Sequence, residues 1–172
     1  MPDGWIAPSA LLTALVLGFV TLQRLAELVI ARRNTARLLA QGGVEHAPGH
    51  YPLIVGLHAA WIIALWLLAW GQPINLWLLA AFALLQAGRV WVLATLGGRW
   101  TTRIVTVPGE SLVARGPFRF VRHPNYLVVS LEILVLPASF ALWLFALVFA
   151  ALNLAVLAIR IPAEARALAD GA

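Results

Sequence analysis

Residues 126–159 read YLVVSLEILVLPASFALWLFALVFAALNLAVLAI. A helix that crosses about 30 Å of hydrocarbon uses roughly 20 residues at 1.5 Å rise each, so this run is too long for one ordinary span. Pro137, followed by Ala138 and Ser139, falls where an uninterrupted helix would lose a backbone hydrogen bond. The run therefore predicts a helical hairpin with one short and one long arm, and the short arm need not reach the far interface.

Working outward, three more apolar runs of spanning length lie at Ser9–Ala31, Tyr51–Trp70 and Ile74–Leu96. Gly71-Gln72-Pro73 predicts a tight turn that makes the second and third spans antiparallel neighbours. The chain of 172 residues is 62% hydrophobic and 11% charged, more apolar surface than a soluble domain of this length buries. All 12 basic residues are arginine. Arg32, Arg33 and Arg37 follow the first span, Arg99, Arg103, Arg115, Arg119 and Arg122 precede the hairpin, and Arg160 and Arg166 follow it. The opposite loops have none. The positive-inside rule then puts the N-terminus outside and the C-terminus in the cytoplasm of a cell (inner) membrane, in agreement with an odd number of crossings. The expectation is an all-α membrane protein of about five transmembrane helices, forming one domain over residues 1–172, with an ordered cytoplasmic loop.

These features exclude several function classes. The arginines cluster at the ends of apolar runs, where anionic headgroups are the natural counter-ions, and no interleaved basic and aromatic surface suggests nucleic acid. With no cysteine there is no disulfide or thiol chemistry. The first run is not preceded by a basic residue and contains Arg24 and Glu27, unlike a signal peptide. His50 and His58 lie eight residues apart with no ligand at four-residue spacing between them, so no metal site is expected. His50 and Tyr51 instead suit hydrogen bonding at the cytoplasmic mouth, with a packing role of equal weight.

Ionisable groups inside the spans are costly. Arg24 and Glu27, beside Gln23, share a helix face and can pair, either locking helices together or serving a site. Gln86 and Arg89 recur at the same spacing in the third span. Glu132, two turns into the hairpin, is either a site residue or a counter-ion for Arg89 or Arg24.

The connection from Gly97 to Asn125 is the longest outside the membrane. Short β-type runs alternate with turns at Pro108-Gly109 and Gly116-Pro117, so amides and guanidinium groups can converge over the bundle as an anion cradle. A basic loop that merely reads the membrane surface would not require Gly, Pro, His and Tyr between its arginines.

Gly116-Pro117-Phe118-Arg119-Phe120-Val121-Arg122-His123-Pro124-Asn125-Tyr126 resembles the GPYR-x-x-RHP-x-Y signature of the integral-membrane isoprenylcysteine carboxyl methyltransferase family. Arg160-Ile161-Pro162-Ala163-Glu164 is similar to that family's R-I-x-x-E-E ending. The short chain, Gln23-Arg24 with Glu27, the Glu45 to His58 segment and Trp100-Thr101-Thr102-Arg103 resemble its bacterial branch associated with alkylpyrone O-methylation. The resemblance implies S-adenosylmethionine as cofactor, held without a Rossmann domain, and a lipophilic small-molecule acceptor, alkylpyrone-like or prenylated. It implies His123, Tyr126, Pro124, Gly116 and Arg119 around the cofactor. Arg160, Glu164 and Arg122 would be catalytic, and His50, Tyr51 and Glu132 would meet the acceptor. Two positions depart from the pattern: Leu127 replaces the glycine after the tyrosine, and Ala165 replaces the second glutamate. A membrane reductase using NADPH, and a non-catalytic membrane subunit or small transporter with Arg24, Glu27, Arg89 and Glu132 lining a path, are the competing readings.

Overall fold

The computed structural model describes residues 3–170, apart from the side chains of His50 and Asp170. Helix α1 (Ala10–Ala40) starts where Ser9 accepts the Leu12 N–H at 3.3 Å. It runs well past the apolar stretch, because nothing between Arg32 and Ala40 breaks a helix, and ends at Gly42-Gly43 with the Gly43 N–H on the Leu38 carbonyl at 2.9 Å. Helix α2 (Tyr51–Leu68) and helix α3 (Leu76–Leu96) flank the expected tight turn, and Asn75 caps α3 by accepting the Leu78 N–H at 3.0 Å. Helix α4 (Pro124–Ser139) and helix α5 (Trp143–Asp170) form the hairpin.

The break in the hairpin comes just after Pro137, which fits into the last turn of α4. Its carbonyl accepts the N–H groups of Phe140 and Leu142, and Ala141 takes a left-handed φ of 58°. Helix α5 continues through Pro162, so Arg160 and Glu164 stand one turn apart on one helix.

Two short antiparallel pairings close the ends of the bundle. At one end β1 (Trp5–Ile6) pairs with β3 (Ile74–Asn75). At the other, β2 (Val44–His46) pairs with β4 (Ile104–Thr106), Glu45 opposite Val105, and ties the segment after α1 to the loop after α3. The Glu45 carboxylate accepts Arg103 Nη1 at 2.7 Å across this pairing.

Helices α1, α2, α3 and α5 are long and apolar enough to cross a membrane, whereas α4, with 16 residues, is shorter. At 1.5 Å per residue α4 extends ~24 Å, less than the ~30 Å hydrocarbon thickness. Leu11, Leu67, Leu84 and Leu144 are each more than 70% exposed, which only a lipid surround makes favourable. The chain is a multi-pass membrane protein. Its core joins Leu17 and Val20 of α1, Trp61 and Leu65 of α2, Phe82 of α3, Ile133 and Leu136 of α4, and Phe140 at the hairpin turn.

Candidate active site

The polar groups inside the spans converge. Arg89 of α3 donates through Nε (2.5 Å) and Nη2 to the two carboxylate oxygens of Glu27 on α1, and through Nη1 to Glu132 of α4 at 2.9 Å. Arg24 reaches Glu132 at 2.5 Å, but Glu27 on its own helix only at 3.5 Å. Gln23 donates at 3.1 Å to Glu27 Oε1, which also accepts Arg89 Nε, and Gln86 donates at 2.9 Å to Glu132 Oε1. Two guanidinium groups and two carboxylates thus form a neutral quartet that joins three helices, as burial of charge demands. Both readings of Arg24 and Glu27 find a counterpart in it, because the quartet fastens the helices and Arg24, Glu27 and Arg89 also line a cavity.

That cavity, of ≈ 300 Å³, lies within the bundle behind Leu25, Leu28, Ile54, Ile62 and Val129, and its wall is mostly apolar. A second cavity of ≈ 690 Å³ lies under the loop between α3 and α4, and its wall carries Arg99, Arg103, Arg122, His123 and Glu164. Trp100, Thr101, Asn125, Tyr126 and Arg160 belong to both walls, so the two spaces meet there.

The junction is rigidly built. The Tyr126 hydroxyl donates to the Glu164 carboxylate and accepts Arg160 Nε at 2.7 Å, while Arg160 Nη2 donates to the Thr102 carbonyl at 2.8 Å. Arg160 Nη1 makes no hydrogen bond to any described residue, which leaves both of its N–H donors on a buried guanidinium available. His123 stacks on Tyr126 with ring centroids 5.2 Å apart and its Nδ1 lies 3.9 Å from Glu164. Asn125 Oδ1 and Trp100 Nε1 are buried without a hydrogen-bond partner among the described residues. Asn34, on the extension of α1, donates to the Trp100 carbonyl at 2.8 Å and holds this part of the loop in place.

A family model described as the isoprenylcysteine carboxyl methyltransferase (ICMT) family matches residues 77–170, more than half of the chain. The chain belongs to the isoprenylcysteine carboxyl methyltransferase family. It is also 38% identical over 161 residues to the uncharacterized protein YpbQ of Bacillus subtilis (strain 168), covering 91% of this chain and 96% of that protein. No solved structure matches it. The family match spans α3, the loop, α4 and α5, the elements that form the junction, and identifies the chain as a membrane protein of a methyltransferase family.

Within this methyltransferase-family chain, the residues singled out from sequence separate into groups. Tyr126 and Arg160 stand at the junction, Pro124, His123, Arg122 and Glu164 on the outer wall, and Tyr51 on the inner wall. The side chain of His50 lies outside the described residues. Glu132 is fully buried behind the inner wall and meets the cavity only through Arg24 and Arg89. Gly116 and Arg119 are not brought to either wall. Gly116, at φ 57°, lies so close to α3 that a Cβ would come within 2.5 Å of Thr95 Oγ1, which seats the loop. Arg119 lies over the Phe120 ring at 4.9 Å on the exposed surface.

Leu127 faces outward and is 49% exposed, so the departure there lies away from both cavities. Ala165 lines the outer cavity and presents a methyl group where the family pattern has a second carboxylate. Sequence reasoning passed over Thr101, Thr102 and Asn125 as individual site residues. Their signal was position, next to Trp100 and within the His123-Pro124-Asn125-Tyr126 run.

Proposed function

We propose that this protein transfers a methyl group from S-adenosylmethionine to an oxygen of a lipophilic small molecule, alkylpyrone-like or prenylated. The observation that carries this reading is the meeting of two cavities of opposite character at Tyr126 and Arg160. The outer one suits the cofactor: it has the size of a small-molecule site, a carboxylate in Glu164 for an ammonium group, and Arg122 for a carboxylate. Asn125 Oδ1 and Trp100 Nε1, buried without a partner among the described residues, add polar atoms that a ligand would satisfy. His123, Tyr126 and Pro124 would form the wall against it, while Gly116 would act through the seating of the loop and Arg119, on the exposed surface, takes no part in the wall.

S-adenosylmethionine, when bound, supplies a methyl group on a sulfonium, a reaction that needs mainly in-line alignment with a nucleophilic oxygen. The protein's part is to hold that oxygen. Arg160 would hold it as an oxyanion through its free Nη1, and an acidic enol-type hydroxyl, largely ionised near neutral pH, needs no strong base. Tyr126, Glu164 and the Thr102 carbonyl fix the guanidinium in one orientation, so no reorganisation is needed during the reaction. The apolar inner cavity would take the acceptor's tail, entering from the bilayer past Leu25 and Ile63, both exposed on the outside of the bundle. The arginine-rich side is cytoplasmic in this account, with the N-terminus outside the cell membrane, so the soluble cofactor arrives from the cytoplasm.

The test is transfer of labelled methyl from S-adenosylmethionine into a lipid extract by the purified protein. Arg160→Met should reduce it at least about a hundredfold, the loss typical of one oxyanion donor. Transfer that persists in this variant would remove Arg160 from the mechanism.

A further inference from the structure

The inner cavity contains a polar feature for which methyl transfer at the junction has no use. His58 of α2 lines it, and its Nδ1 lies 2.8 Å from the carbonyl oxygen of Ile54. A carbonyl oxygen only accepts, so Nδ1 carries the proton and Nε2 keeps its lone pair. Nε2 has no hydrogen-bond partner among the described residues. Around the same space stand Arg24, Glu27, Arg89 and Asn153, the last donating to Ser130 at 2.9 Å. The carboxylate of Glu27 is taken up by Arg24, Arg89 and Gln23, so the open acceptors of this wall among the described residues are His58 Nε2 and the side-chain oxygen of Asn153, and Arg24 Nε is a donor without a partner there.

This polar layer lies well below the junction. Tyr51, whose hydroxyl accepts Thr102 Oγ1 at 3.3 Å beside Arg160, precedes His58 by seven residues on one helix. At 1.5 Å per residue that is about 10 Å, or two turns. Ile54, Val55 and Leu157 fill the interval with apolar surface. A molecule whose buried part were hydrocarbon alone would press alkane against an unpaired imidazole nitrogen, which is unfavourable.

We propose that the acceptor carries a second polar group, a hydroxyl or amide N–H about 10 Å along its apolar body from the methylated oxygen, and that His58 Nε2 accepts a hydrogen bond from it. The proposal rests on the reading of the inner cavity as the acceptor site. His58 is then a specificity-determining residue, and the ionic quartet is the fixed wall against which the second group is placed.

Two probes of equal chain length test this: a para-alkylphenol, and the same compound with a chain hydroxyl placed ~10 Å from the phenol oxygen, matching two helical turns. Their affinities for the full-length protein in detergent are read by ligand-dependent thermal stabilisation. The hydroxylated probe should bind about tenfold more tightly, the value of one well-made buried hydrogen bond. His58→Leu should erase that preference, and His58→Gln, whose amide oxygen can accept, should keep part of it. Equal affinities in the unaltered protein, no stabilisation by either probe, or a preference that survives His58→Leu overturns the proposal. Calorimetric titration with S-adenosylhomocysteine on the same preparations reports separately on the cofactor cavity. Its failure would sink the methyltransferase reading, whichever way the probes behave.

Discussion

Neutralising Glu132 should unbalance the bundle more than any other single isosteric change. Glu132 is fully buried, with Oε2 accepting from both Arg24 and Arg89 and Oε1 accepting from Gln86 at 2.9 Å. In Glu132→Gln the shape is kept, but Glu27 alone must balance two guanidinium groups, and an amide NH₂ turns toward either an arginine or Gln86. Breaking a buried pair by removing one partner costs about 3–5 kcal/mol, because the remaining charge stays desolvated. That corresponds to at least a hundredfold change in the unfolded-to-folded ratio, at about 1.4 kcal/mol per factor of ten. The assay is reversible unfolding in mixed micelles with rising fraction of denaturing detergent, followed by fluorescence of the 8 tryptophans. The sign of a second change gives the sharper test. Arg24→Met added to Glu132→Gln restores charge balance, so the double variant should be more stable than Glu132→Gln by at least about 1.5 kcal/mol. A loss below about 1 kcal/mol in the single variant would refute the assignment of charge balance to the quartet, as would additive losses in the double.

Other outcomes follow from the same geometry. Tyr126→Phe removes the hydroxyl shared by Glu164 and Arg160, and should lower kcat/KM about 10- to 100-fold in the methyl-transfer assay, the range for hydrogen bonds to charged groups. Gly116→Ala meets both a left-handed φ and the Thr95 side chain, and should destabilise by about 1–3 kcal/mol in thermal melts, with Thr95→Ala recovering only the steric part. Leu127→Gly restores the family's glycine on the outward face of α4, and should leave S-adenosylhomocysteine affinity within about twofold while costing up to about 1 kcal/mol of stability. Because the chain has no cysteine, single cysteines at Gly71 and Gly109 report orientation cleanly: a membrane-impermeant thiol reagent on intact cells should label the first and not the second.

Much of the fold was legible because lipid imposes a simple rule on sequence. The three long runs, the Gly71-Gln72-Pro73 turn and the hairpin after Pro137 all follow from apolar length and backbone chemistry. The limits of that rule explain what was not legible. The extension of α1 beyond Ala31 is polar, so hydropathy ends where the helix does not. The β2–β4 pairing joins three-residue strands separated by two whole spans, and so short a pattern carries no periodicity.

The site shows the same division. The spacing of Arg24 and Glu27 predicts a pair on one helix, yet that contact is the longest of the quartet, and the closer partners come from α3 and α4. Sequence spacing sees only its own helix. The run Gly116 to Tyr126 is contiguous in sequence but not in space, because the short turn at Gly116–Arg119 seats Gly116 against α3 and leaves Arg119 on the surface before Arg122 and His123 reach the cavity. Conversely, Thr102 enters the site through its carbonyl, which no side-chain pattern could reveal.

The most direct test of the central claim is a calorimetric titration of the purified protein with S-adenosylhomocysteine, set beside the same titration with NADPH. The two-cavity account predicts saturable binding of S-adenosylhomocysteine, weakened at least about tenfold by Glu164→Gln, which removes the carboxylate that lies beside Tyr126 at the junction end of the outer cavity. Binding of NADPH in preference to S-adenosylhomocysteine, or no binding of S-adenosylhomocysteine at all, would contradict it.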